Sequence, residues 1–189
     1  MTAVPHLFTL QEYLQLGETE ERTELVEGRI IVCASPNRRH NEAMGELYLQ
    51  LRQQLPREFV VTQDIDIDLE FAPSDKPGTA RRPDLHILPR VTAERLRSEG
   101  GVARASDVLV VVEIVSPSSR RIDHVLKRNE YARAGIPHYW IIDITEPVSM
   151  LVCHEAGPFG YRDSGEVTGK YEISEPFDAV IDLDQLLDP

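Results

Sequence analysis

Residues 107–127 read DVLVVVEIVSPSSRRIDHVLK. From Val108 to Val115 the chain is apolar and largely β-branched over the length of one strand, the pattern of a strand covered on both faces in the middle of a sheet. Glu113 interrupts it. An ionised carboxylate buried there costs several kcal/mol unless a cation, a metal or several hydrogen-bond donors compensate, so an acid in this place is a site candidate. The strand stops at Ser116 and Pro117, because proline donates no ladder hydrogen bond, and Ser118 or Ser119 supplies an N-cap for a helix from Arg120 to about Arg133. Glu113 then stands near the end of a central strand, just ahead of a helix. Ligands and metals collect at such places in α/β proteins.

The 189 residues suit one domain, 1–189, and 41% hydrophobic content is enough for a core. Cys33 and Cys153 are too few for a disulfide framework or a thiolate zinc site. The N-terminal stretch lacks the basic n-region and long apolar h-region of a signal peptide, and no segment is apolar enough for a membrane span, which together point to a soluble, cytoplasmic protein. A net charge of −12 opposes any protein that holds nucleic acid by whole-surface attraction. Basic pairs at Arg38-Arg39, Arg81-Arg82, Arg120-Arg121 and Lys127-Arg128 interrupt that acidic field. Ordinary solvated surface explains them equally well.

Elsewhere the pattern predicts a mixed α/β (α+β) chain. Thr9 and Glu12 form a capping box for a short helix, and ERTELVEGRIIVCASP reads as two strands turning at Glu27-Gly28, where Glu24 and Glu27 would be unremarkable as surface acids. Met44, Leu47, Leu51 and Leu55 mark the apolar stripe of a helix from about Arg39 to Gln54. Residues 60–71 alternate with period two, with Asp64, Asp66, Asp68 and Glu70 on the wet face. In RRPDLHILP a strand begins at Asp84, beside Pro83, although Asp84 could equally close a turn. A helix and a Gly-Gly loop occupy residues 90–105. After the central strand, Ile122, Val125, Leu126 and Ala132 are expected to face inward, leaving Asp123 and Lys127 as a surface i, i+4 pair. A strand from His138 to Ile144, antiparallel edge strands and a short DLDQLL helix complete the chain.

An Asp at a strand start, a Glu in the next central strand and a Lys nearby are the minimum equipment for metal-assisted phosphodiester hydrolysis. Mg²⁺ keeps several waters and takes one or two carboxylates. The metal activates water and steadies charge on the phosphate, and a lysine orients that water or neutralises the phosphate. Spacing alone carries this weakly, since many proteins contain such a trio.

The segments TELVEGRIIV, SPNRRH, RRPDL and LVVVEIVSPSSRRIDHVLKRNEYARAGIPHYWIID resemble the Uma family of restriction-endonuclease-like proteins, formerly a domain of unknown function and expanded in cyanobacteria, within the PD-(D/E)XK nuclease superfamily. The resemblance runs from about Phe8 to Tyr171. It implies a restriction-endonuclease-like fold, with a mixed central sheet flanked by helices, an N-terminal hairpin and C-terminal antiparallel strands. It also implies Mg²⁺ or Mn²⁺ and hydrolysis of DNA. Carried over by residue, Pro83-Asp84 matches the PD and Glu113 the D/E. The next motif position holds Val115 instead of lysine, and Lys127, on the following helix, stands where the family's lysine has moved. Glu24 matches an N-terminal acid, and His40 a recurrent position that a helix cap or surface histidine would also fill. The implied catalytic set is Glu24, Asp84, Glu113 and Lys127, with Asp84, Glu113 and the Ile114 carbonyl on the metal and Arg81, Arg82, Arg120 and Arg121 meeting the DNA backbone. A homodimer would suit the cutting of two strands. Two rivals stand beside this: a nuclease-fold binding protein without turnover, supported by Val115 and the acidic balance, and a hydrolase of small phosphoesters.

Overall fold

The computed structural model describes residues 6–17, 20–116, 119–157 and 159–187; Pro117 and Ser118, expected at the strand end and helix cap, lie outside them. The elements in chain order are α1 (Leu10–Gln15), β1 (Thr23–Val26), β2 (Arg29–Val32), α2 (Arg38–Gln54), β3 (Phe59–Gln63), β4 (Ile67–Asp68), β5 (Ala80–Arg81), β6 (Leu85–Pro89), α3 (Arg90–Glu99), β7 (Ala103–Arg104) and β8 (Val110–Val115). A π-helix (Ile122–Lys127) then runs into α4 (Arg128–Arg133), followed by β9 (His138–Asp143), β10 (Ser149–Gly157), β11 (Gly160–Thr168), β12 (Lys170–Ile173) and β13 (Ala179–Asp182). No helix among the described residues is long and apolar enough to cross a membrane.

A six-stranded mixed sheet in the order β11-β10-β9-β8-β6-β3 carries the fold, with β8 and β9 its parallel pair. The apolar run leading from Val108 becomes β8, buried at every position. Its alternation serves two cores. Val110, Val112 and Ile114 pack with Leu85, Ile87, Trp140 and Ile142 under Ala43, Leu47 and Leu51 of α2, while Val111 and Val115 join Leu88, Tyr131, Tyr139 and Ile141 on the other side. Glu113 belongs to the second side by the same period of two. The apolar stripe of α2 lies on the sheet as its spacing predicts, and Asn37 caps the helix by accepting the His40 N–H at 3.0 Å.

Three local expectations fail for identifiable reasons. Residues 60–71 do not form one strand: β3 ends at Gln63, Asp64 turns the backbone at φ 50°, and β4 joins a second sheet, β2-β1-β5-β4-β7. Asp66 consequently leaves the wet face and is buried, its Oδ2 2.7 Å from Arg82 Nη2. The segment after Ser119 is turned around. Ile122, Val125 and Leu126 are exposed, whereas Asp123 and Lys127 are buried; only Ala132 faces inward as expected. Its π-helical geometry, a feature frequent at functional sites, presents the charged pair to a charged cavity instead of an apolar core. Finally, β13 is an additional strand paired with β12. Gln54 exchanges hydrogen bonds with the backbone of Val180 and Gln50 with that of Asp182, so side-chain amides of α2 serve as the missing neighbour of β13.

Leu47 is fully buried between α2 and the sheet. Leu47→Ala should lower stability by about 2–5 kcal/mol in denaturant unfolding, the usual result of a core cavity.

Candidate active site

Strand register builds the site. β6 and β8 pair antiparallel, Leu85 with Val112 and His86 with Val111. One step on, Asp84 falls opposite Glu113, and residues opposite one another in an antiparallel pair project from the same face. Both line a cavity of about 340 Å³ walled by β2 and the loop after it, the start of α2 and the π-helix.

Asp84 is 3% exposed and held from three directions. Oδ2 accepts the Ile114 backbone N–H at 2.7 Å and lies 3.1 Å from His40 Nε2, while Oδ1 lies 3.3 Å from Arg22 Nη2. Burial alone would raise its pKa; His40, Arg22 and the Ile114 amide outweigh burial and keep it below the usual range. His40 is thus neither a surface residue nor the cap, which is Asn37.

Glu113 is equally buried but differently balanced. Its Oε1 accepts from Lys127 Nζ at 2.9 Å and from the Tyr131 hydroxyl at 2.8 Å. Burial is the largest influence, and Asp84, Asp123 and Glu24 counter the pull of Lys127, so its pKa is pushed up to about 8. Lys127 also lies 3.0 Å from Glu24 Oε1 and 3.9 Å from Asp123 Oδ1. Burial favours its neutral form; the surrounding carboxylates override that and hold it firmly protonated.

Glu24 was expected at the surface on its pattern alone. It is 2% exposed, with Oε2 2.6 Å from Arg81 Nη1 and Oε1 accepting the Arg82 backbone N–H at 3.2 Å. Burial raises its pKa, but Lys127 and Arg81 prevail and bring it to about 2. Arg81, expected to meet a phosphate backbone, lies beneath the site at 5% exposure, its fork spanning Glu24 and both oxygens of Glu130 at 2.7 and 2.8 Å. A guanidinium matched to two carboxylates is committed inside the protein. Arg82 pairs with Asp66 and Arg120 with Asp143, while Arg121 is exposed.

The sequence reading missed Arg22, Asp123 and Tyr131 as parts of this centre. A signal for two of them was present: Asp123, Lys127 and Tyr131 recur every fourth residue, one stripe of a helix. Arg22 carried a weaker one, lying two residues from Glu24.

Among the described residues no cluster of three or more His, Cys, Asp or Glu side chains is spaced as a metal cage. The donor set instead fits a hard cation that keeps most of its waters: two carboxylates, Asp84 and Glu113, brought opposite one another by the β6–β8 register. The electrostatics fit as well. Burial and the neighbouring Asp84, Asp123 and Glu24 raise the pKa of Glu113, and a cation beside it would relieve that.

The two glutamates should respond oppositely to substitution. The Glu24 pKa is lowered from 4.5 to about 2, so its contribution is complete above the unfolded value and is lost as pH falls between them. Glu24→Gln should cost about 3 kcal/mol at pH 7, with the deficit disappearing in acid. The Glu113 pKa is raised, so the native state binds the extra proton and stability falls as pH rises from 4.5 to about 8. Glu113→Gln should flatten that fall. Metal-free thermal unfolding across pH reads both.

The chain matches the model of the Uma2 family, described as "Putative restriction endonuclease", over residues 10–177. No curated protein matches it. Among solved structures it is similar to "a putative nuclease belonging to DUF820" from Anabaena variabilis ATCC 29413, at 18% identity over 95% of this chain and 97% of that one, with a TM-score of 0.66. That likeness is one of fold, and the family match spans most of the chain: this protein belongs to the Uma2 family.

Proposed function

We propose that this chain is a divalent-metal-dependent nuclease hydrolysing DNA phosphodiester bonds. The observation that carries the reading is the convergence of Asp84 and Glu113 across β6 and β8, with Lys127 reaching Glu113 from the π-helix. Val115, two residues beyond Glu113, packs in the apolar cluster on the same side, so the lysine missing there is supplied from the neighbouring helix.

Asp84, Glu113 and the Ile114 carbonyl would hold Mg²⁺ or Mn²⁺, which lowers the pKa of bound water and stabilises charge on the phosphate. The other roles follow from this chain's groups. Lys127 is held protonated, so it orients the attacking water and balances phosphate charge; it does not take the proton. Glu24 fixes the lysine, and Arg81 fixes Glu24. His40 and Arg22 fix Asp84. Water adds to phosphorus, one P–O ester bond breaks, and a phosphate monoester and a hydroxyl result, with one proton of the water ending on the departing oxygen.

Asp84→Asn, Glu113→Gln and Lys127→Met should each reduce Mg²⁺- or Mn²⁺-supported cleavage of a labelled DNA by on the order of 10²-fold or more. Cleavage unchanged in all three would place the chemistry elsewhere.

A further inference from the structure

Resting on that reading, we propose that the site takes an unpaired strand, accepting one unstacked nucleotide at a time, and discriminates against intact duplex. Three observations carry this. The reacting carboxyls are sunk: Asp84 and Glu113 are each 3% exposed at the floor of a cavity of about 340 Å³. That lies near the lower end of the roughly 300–1,000 Å³ of small-ligand sites, room for one nucleotide and not for two paired ones. For its phosphodiester to reach that depth, a strand must bend away from its pairing partner.

The walls are the second observation. Ile31 and Val32 on β2 and Ile122 on the π-helix line the mouth and stay 43%, 55% and 41% exposed, and Val125 and Leu126 continue the exposed apolar surface along the same helix. Aliphatic walls offer no hydrogen bond to the sugar-phosphate rails of a duplex and are buried favourably against the apolar face of an unstacked base.

Third, most cations near the site already face carboxylates, Arg81 and Arg82 within the protein and Arg120 and Arg39 in exposed pairs. Arg81, Arg82 and Arg120 are paired with Glu24, Asp66 and Asp143, and Arg39 with Glu146. A duplex-binding surface typically neutralises about 6–10 phosphates. Arg121 is exposed and without an ion pair among the described residues, on a chain of net charge −12, which suits a short contact with one flexible strand. The homodimer expected for cutting two strands is then not required by the chemistry.

The test uses the full chain with Mn²⁺ on one labelled sequence in three forms: single-stranded, blunt duplex, and duplex with a central unpaired loop. The single strand, and the loop at its unpaired nucleotides, should be cut at least tenfold faster than the blunt duplex. Duplex cleavage as fast as single-strand cleavage overturns the proposal and leaves the nuclease reading standing; cleavage of none of them overturns both. Val32→Asp, an exposed change, should raise KM for the single strand at least fivefold while Val32→Leu restores it. A KM indifferent to both contradicts the role of the apolar walls.

Discussion

The buried ammonium of Lys127 is the contact on which the rest depends. Its Nζ lies within 3.0 Å of an oxygen of Glu24 and of Glu113, with Asp123 at 3.9 Å, all of them nearly out of water. Removing water from so many charges is unfavourable, and such a group is tolerable only if every member keeps its partners. Arg81 therefore bridges Glu24 to Glu130, and Arg22 and His40 attend Asp84. The inverted orientation of the π-helix follows from the same constraint. Exposing Ile122, Val125 and Leu126 forgoes hydrophobic burial, and the ion cluster that Asp123 and Lys127 complete offsets it.

Division of labour within the cavity follows from what each carboxyl is given. Glu24 has two cations and an amide, and is ionised at any physiological pH. Asp84 has an amide, a guanidinium and an imidazole. Glu113 has one ammonium and a phenol, with three acids nearby, and is the least well satisfied. Such an arrangement is poor as a structural ion network and apt as a cation site, since strongly shifted groups in a cleft are where function concentrates. The sheet supplies the precision, because the register of β6 against β8 determines which carboxyl faces which, and neither strand can slip without turning its core side chains outward.

The sheet and Glu113 were legible because strand periodicity and burial agree there: Val110 to Val115 could be only a central strand, and an acid inside it had to be compensated. Asp84, which its own segment left open as a turn residue, was singled out by the PD match alone. The α2 stripe, the β1–β2 hairpin and the Gly-Gly loop after α3 were legible for similarly local reasons. What was hidden depended on partners far away in sequence. The burial of Glu24, Asp123 and Lys127 runs against hydrophobic patterning, which assumes that charged residues face water. Arg81 looked like a surface cation because nothing local announced Glu24 and Glu130 on either side of it. The break at Asp64 was masked by an alternation that continues across two different sheets.

The central claim is that Asp84 and Glu113 together hold a divalent cation, and it needs no knowledge of the substrate to be tested. Isothermal titration of Mn²⁺ into the intact chain, beside Asp84→Asn and Glu113→Gln, addresses it directly. Saturable binding of one ion per chain that either substitution abolishes is the predicted result. No binding, or binding indifferent to both substitutions, would contradict the account at its base.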